Sequence, residues 1–148
     1  INKDIKVLIL GSLPGDESLK LQKYYAKSSN DFWKLMNKVL DIDLTMMNYE
    51  EKIKTLLNNN IGLWDVFKES FRNGSLDSDI KEEELNDFSC LKEICPNLKL
   101  ICLNGKKAGE HEHIFKKDYL TKVLPSSSGA NRRNNEKRIG EWSSIFFT

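Results

Sequence analysis

The chain is short of the residues on which metalloproteins and many hydrolases depend: it has two histidines, three cysteines and three prolines among 148 residues. His111 and His113 stand in the strongly polar run His111-Glu112-His113 and read as surface histidines, not metal ligands. Cys90, Cys95 and Cys102 have no Cys-x-x-Cys spacing, lie in or beside apolar segments, and are too few for the thiolate set of an iron–sulfur cluster. A disulfide framework and a zinc ribbon are excluded on the same grounds. No segment approaches the ~20 apolar residues of a membrane-spanning helix. The first residues are strand-like rather than a cleavable leader, so a cytoplasmic protein of the bacterial cytosol or nucleoid is expected. The glycine–lysine phosphate loop, a Gly-x-Gly-x-x-Gly turn after the first strand and a Gly-x-Ser-x-Gly elbow are all missing, which removes the common nucleotide-cofactor sites and serine-hydrolase chemistry.

What remains is an ordinary single-domain composition, 39% hydrophobic with a formal net charge of +1, long enough to bury a core over residues 1–148. The charge is unevenly spread. Residues 77 to 93 are acid-rich, whereas Lys99, Lys106, Lys107, Lys116, Lys117, Lys122, Arg132, Arg133, Lys137 and Arg138 crowd the last third, the candidate polyanion face. Solvated helix faces that happen to be rich in lysine would look the same.

Short apolar runs predict strands at Ile5–Leu10, Ile61–Val66, Leu98–Leu103 and Thr121–Leu124. Helical periodicity predicts helices at Asp31–Leu40, Tyr49–Leu57, Cys90–Cys95, Lys106–Lys117 and Asn135–Phe146, with Asn48 as a cap for the second and Pro96 ending the third. Strands alternating with helices argue for an α/β fold with a parallel sheet covered on both faces and joined by right-handed crossovers. Ligands of such sheets sit beyond the carboxyl ends of the strands. Here those ends are the Gly11–Gly15 turn, Trp64 and Asp65, the Asn104-Gly105 pair, and the loop from Pro125 to Asn131.

One further segment, Tyr24-Tyr25-Ala26-Lys27-Ser28-Ser29-Asn30-Asp31-Phe32-Trp33, places two aromatic rings and a side-chain amide just before an amphipathic helix, the layout of a base pocket. Taken in order, GSLPGDESL at Gly11 to Leu19, YYAKSSNDFW at Tyr24 to Trp33, GLWDV at Gly62 to Val66, GSLDSDI at Gly74 to Ile80, NGKKA at Asn104 to Ala108 and LPSSSGAN at Leu124 to Asn131 resemble the uracil-DNA glycosylase superfamily, and within it the hypoxanthine-DNA (deoxyinosine) glycosylase branch. The resemblance runs nearly end to end. It implies a three-layer α/β/α sandwich with a central four-stranded parallel sheet, acting as a monomer on DNA that contains a deaminated base, and using no metal or organic cofactor.

The chemistry so implied needs a held base, help for its departure, and a water aimed at the sugar. By resemblance Tyr25 is the stacking aromatic and Asn104 reads the base edge; otherwise the two tyrosines pack the loop and Asn104 caps the next helix. Ser12 and Leu13 fall at the base pocket, where mismatch-specific relatives carry a water-activating asparagine that Leu13 cannot replace. In the deoxyinosine branch the asparagine of the segment matched by SSNDFW does that work, which makes Asn30 the catalytic residue, although the same residue is well placed to cap the helix after it. Ser126, Ser127, Ser128 and Asn131 match the loop that contacts phosphates and wedges the duplex, and Arg132 and Arg133 directly beyond are natural phosphate partners. The chain departs from its relatives at Lys27 and Ser28, a departure that points to an altered base preference or weaker activity, and has Gly129 where a proline is common, which should loosen the loop. Trp33, Trp64 and Trp142 read as core. A catalytically silent nucleic-acid-binding domain of the same fold is the alternative, and a nucleoside hydrolase a more distant one, since no carboxylate-rich calcium loop is present.

Overall fold

The computed structural model describes residues 1–12, 23–25, 30–67, 85–129 and 135–147. Four strands, β1 (Val7–Gly11), β2 (Ile61–Asp65), β3 (Leu100–Asn104) and β4 (Leu120–Leu124), form one sheet in the order β2-β1-β3-β4, every pairing parallel. The alternation of β1 explains the layers. Val7 and Ile9 point into one core with Phe32, Trp33, Leu56 and Trp142, whereas Leu8 and Leu10 point into a second with Leu91, Ala108 and Phe115. A strand apolar on both faces needs a cover on each side, and the helices provide it. The first core is covered by α1 (Phe32–Leu40), α2 (Tyr49–Asn58) and α5 (Asn135–Ser143), the second by α3 (Leu91–Ile94) and α4 (Lys106–Gly109). This is the expected α/β/α sandwich.

The chain winds from β1 outward to β2 and then returns past β1 to β3, so the strand order reverses between β1 and β3. Above their carboxyl ends the connections leave in opposite directions and open a crevice, the usual ligand site of such sheets. Gly11 and Asn104 end those two strands and therefore flank it.

Local signals hold in several places. Asn48 Oδ1 accepts from Glu51 N at 2.8 Å and Asn48 Nδ2 donates to Glu51 Oε1 at 3.0 Å, a reciprocal cap for α2. Two expected helices are shorter than the periodicity suggests. Over Lys106–Lys117, α4 stops at Gly109 and a 3₁₀ turn follows at Glu112–Ile114. A Cβ at Gly109 would lie 2.6 Å from Val123 Cγ1, so the glycine that lets the segment lie close against β4 also weakens the helix. Over Asn135–Phe146, α5 gives way to a 3₁₀ turn at Ser144, whose Oγ donates to Glu141 O at 2.6 Å and competes with the backbone.

Candidate active site

Gly11 is closely approached from two sides. A Cβ there would lie 2.7 Å from Asp65 Oδ1 and 3.3 Å from Tyr25 OH, so only glycine lets a carboxylate and a phenol close over the end of β1. Asp65 pairs in register with Gly11 and is buried. Ser12 follows half-buried, its carbonyl accepting from Phe67 N at 3.1 Å.

Tyr25 adopts a left-handed backbone with φ of 54°, an uncommon state for a bulky residue and one often found at functional sites. Its ring stacks on Phe32 with centroids 4.0 Å apart and planes 19° from parallel, which covers one face of the phenol. Burial pushes its pKa well above the ordinary tyrosine value, the Asn104 hydrogen bond opposes this, and the Asp65 charge adds to it. Tyr25 is therefore a neutral phenol throughout the biological pH range.

Asn30, Asn104 and Ser127 meet beside it. Backbone donors fix both carboxamides, because an N–H can only face an amide oxygen. Phe32 N donates to Asn30 Oδ1 at 2.9 Å, and Ser127 N donates to Asn104 Oδ1 at 3.0 Å. Asn104 Nδ2 is then left to donate to Tyr25 OH at 3.1 Å and to Ser127 Oγ at 2.9 Å. Ser127 Oγ in turn donates to Asn30 Oδ1 at 2.8 Å. Asn30 thus receives the Phe32 amide at the mouth of α1, as a cap would, while it also joins the network. Asn104 is no cap: Gly105, with φ of 94°, occupies that position of α4, and no side chain caps it.

Beneath this neutral network lies a charged one. Arg138 Nη2 and Asp31 Oδ2 are 2.7 Å apart, both side chains almost wholly buried. The same guanidinium donates to Asn135 Oδ1 from Nε at 3.1 Å and from Nη2 at 2.8 Å, and from Nη1 to the carbonyls of Ser126 and Ser128, each at 3.2 Å. Trp142 Nε1 donates to Pro125 O at 2.8 Å, so α5 holds residues 125–128 from below. Arg138, grouped by sequence with the polyanion face, is instead an internal brace.

The serine loop divides likewise. Ser126 and Ser128 are half-buried, with Ser126 Oγ accepting from Ser128 N at 3.1 Å. Ser127, expected as a phosphate donor, is 1% exposed and turned inward; its hydroxyl is taken by the two asparagines and does not reach a phosphate in this arrangement. Leu13, Asn131, Arg132 and Arg133 lie outside the described residues, as do Lys27 and Ser28. Asp65 has no role assigned from sequence, and its signals there are its place at the end of an apolar strand and within the GLWDV segment at Gly62 to Val66. Trp33 and Trp142 are buried, and Trp64 is half-buried with its ring edge-on to Phe88. His111 packs edge-on against the Phe67 ring, and among the described residues no group of three or more His, Cys, Asp or Glu is placed to hold a metal. No helix among the described residues is long and apolar enough to cross a membrane.

Comparison with known proteins agrees along the whole chain. The profile of the uracil DNA glycosylase superfamily matches residues 1–145. A Methanosarcina acetivorans protein named hypoxanthine DNA glycosylase is 54% identical over 147 residues, covering 99% of this chain and 93% of the relative. A Methanosarcina barkeri protein of the same name is 49% identical over 147 residues, with the same coverage. A solution NMR structure of a candidate uracil DNA glycosylase from M. acetivorans superposes with a TM-score of 0.88 at 54% identity, covering 99% of this chain and 91% of the other. By fold and by sequence throughout, the chain belongs to the uracil-DNA glycosylase superfamily.

Proposed function

We propose that the protein is a monofunctional DNA glycosylase of base excision repair that hydrolyses the N-glycosidic bond of a deaminated base, hypoxanthine first and uracil second. The observation that carries this reading is the convergence of Asn30 and Asn104 on one buried serine at the β1/β3 crevice, with Tyr25 bonded to Asn104, in a chain about half identical to two proteins named hypoxanthine DNA glycosylase.

Cleavage generates an oxocarbenium-like sugar and a departing base that carries negative charge. Asn104 answers the second. Its amide protons are both engaged in this state, one by Tyr25 and one by Ser127, so the carbonyl of an extruded base takes over one of those bonds. The lone pair left on Oδ1 beside the Ser127 N–H suits the ring N–H that hypoxanthine and uracil share. Tyr25, neutral and backed by Phe32, presents an aromatic surface on which a base can stack. Asn30 has its oxygen taken by two donors, and its Nδ2 makes no hydrogen bond to any described residue. What it offers a water is thus a fixed N–H. It orients the nucleophile rather than deprotonating it, a sufficient role where the electrophile is a cationic sugar. Ser126, Ser128, Asn131, Arg132 and Arg133 are proposed to meet the DNA backbone.

The test is incubation with oligonucleotides bearing hypoxanthine, uracil or xanthine, followed by alkaline cleavage at abasic sites. Strand breaks at hypoxanthine are expected. Retarded mobility with no abasic product would instead identify a silent DNA-binding domain, and release of base from free inosine alone would identify a nucleoside hydrolase.

A further inference from the structure

We infer that Ser127 is a positioning residue for this reaction, tying the amide that reads the base, Asn104, to the amide that orients water, Asn30. The inference rests on the site reading above and adds to it a residue that acts only through the other two.

Ser127 is 1% exposed, and each of its polar groups is committed. Its N–H donates to Asn104 Oδ1 at 3.0 Å, its carbonyl accepts from Asp31 N at 2.7 Å, and its hydroxyl accepts from Asn104 Nδ2 at 2.9 Å while donating to Asn30 Oδ1 at 2.8 Å. The proton directions along this chain are set by the backbone donors at both ends, so they do not depend on which way the hydroxyl is drawn. A hydroxyl accepts from one carboxamide and donates to the other through a single atom, which a thiol does only weakly. Without it, Asn30 Oδ1 keeps the Phe32 N–H alone and its amide is free to turn. A base carbonyl that captures the Asn104 proton now given to Ser127 frees an acceptor site on the hydroxyl, whose own proton stays on Asn30 Oδ1 and keeps that amide oriented.

The experiment measures single-turnover cleavage of a hypoxanthine-containing duplex and the dissociation constant for the same duplex carrying an abasic site. Ser127→Ala and Ser127→Cys should slow cleavage at least ~tenfold while changing abasic-site affinity by less than ~threefold, and Ser127→Thr, which keeps the hydroxyl, should stay within ~threefold of wild type. In an Asn30→Ala background, Ser127→Ala should cost much less than it does alone, since the part of its effect that acts through Asn30 is gone and only its hold on Asn104 remains. Wild-type cleavage by the alanine variant, equal losses of cleavage and binding, or additive losses in the Asn30→Ala background would each overturn the inference. Should the alanine variant not fold, the cysteine and threonine pair decides alone. A wild-type protein that leaves no abasic site would overturn the glycosylase reading itself, and this control separates the two failures.

Discussion

The two clusters that hold residues 125–128 differ in kind. Above, Tyr25, Asn30, Asn104 and Ser127 share neutral hydrogen bonds; below, Arg138 and Asp31 form a buried ion pair whose guanidinium also takes two loop carbonyls. A neutral bond of this kind is worth about 1 kcal/mol net, so a substrate can exchange it for one of its own. Breaking a buried ion pair by removing one partner costs about 3–5 kcal/mol, so the lower cluster does not yield when the upper one does. The comparison separates what must stay still from what must be replaceable.

The sharpest way to break it is Arg138→Met, which removes the guanidinium that lies 2.7 Å from the buried Asp31 carboxylate and leaves it Lys34 Nζ at 4.0 Å. A stability loss of about 3–5 kcal/mol in urea denaturation is expected, far above that of any change in the upper cluster. A loss near 1 kcal/mol would erase the distinction. Asn104→Asp comes next. Ionised aspartate has no proton for Tyr25, for Ser127 or for a base carbonyl, and it opposes charge growing on the departing base. Cleavage at bound substrate should fall much more than affinity for abasic DNA; equal losses would reduce Asn104 to a loop-shaping role.

Asn30→Ser isolates orientation from capping, because serine also accepts from the Phe32 amide. Stability should hold within ~1 kcal/mol while single-turnover cleavage falls at least tenfold. The double change Arg132→Ala with Arg133→Ala tests whether these two arginines, unlike Arg138, meet DNA: the slope of log affinity against log salt should flatten by about one to two units, and an unchanged slope would place the contact elsewhere.

The smallest effect is alkaline. The Tyr25 pKa is raised in the folded state, so its contribution to stability is fully present below the unfolded value of about 10 and is lost as pH climbs through the folded value. Tyr25→Phe should flatten that alkaline fall. Asp65→Asn should lower the Tyr25 pKa, read as earlier tyrosinate absorbance in a pH titration, since the Asp65 charge is one of the causes that raise it.

The sheet and its layers were legible because apolar runs such as Ile61–Val66 and stripes such as Phe32, Leu35 and Met36 are local patterns. The cap at Asn48 was legible for the same reason. What escaped depends on partners far along the chain. Gly109 ends α4 because of Val123, and Arg138 is internal because of Asp31, 107 residues away. Nothing in the run of lysines and arginines around it sets Arg138 apart. Asn30 and Asn104 were visible through resemblance to relatives, but that Ser127 lies between them depends on a sequence separation of 97 residues to one and 23 to the other. Asp65 faces Gly11 only because β1 and β2 pair in that register.

The Asp31–Arg138 brace also bears on when the site comes into being. Domains emerge from the ribosome amino end first, and Asn30 with the α1 that follows it is made long before α5. Until α5 has been synthesised and has docked, the Ser126 and Ser128 carbonyls and the Asp31 carboxylate lack the Arg138 guanidinium. A nascent chain carrying both asparagines would still lack an assembled crevice, so competence to act on DNA arrives late in synthesis, with the helix that touches none of the chemistry.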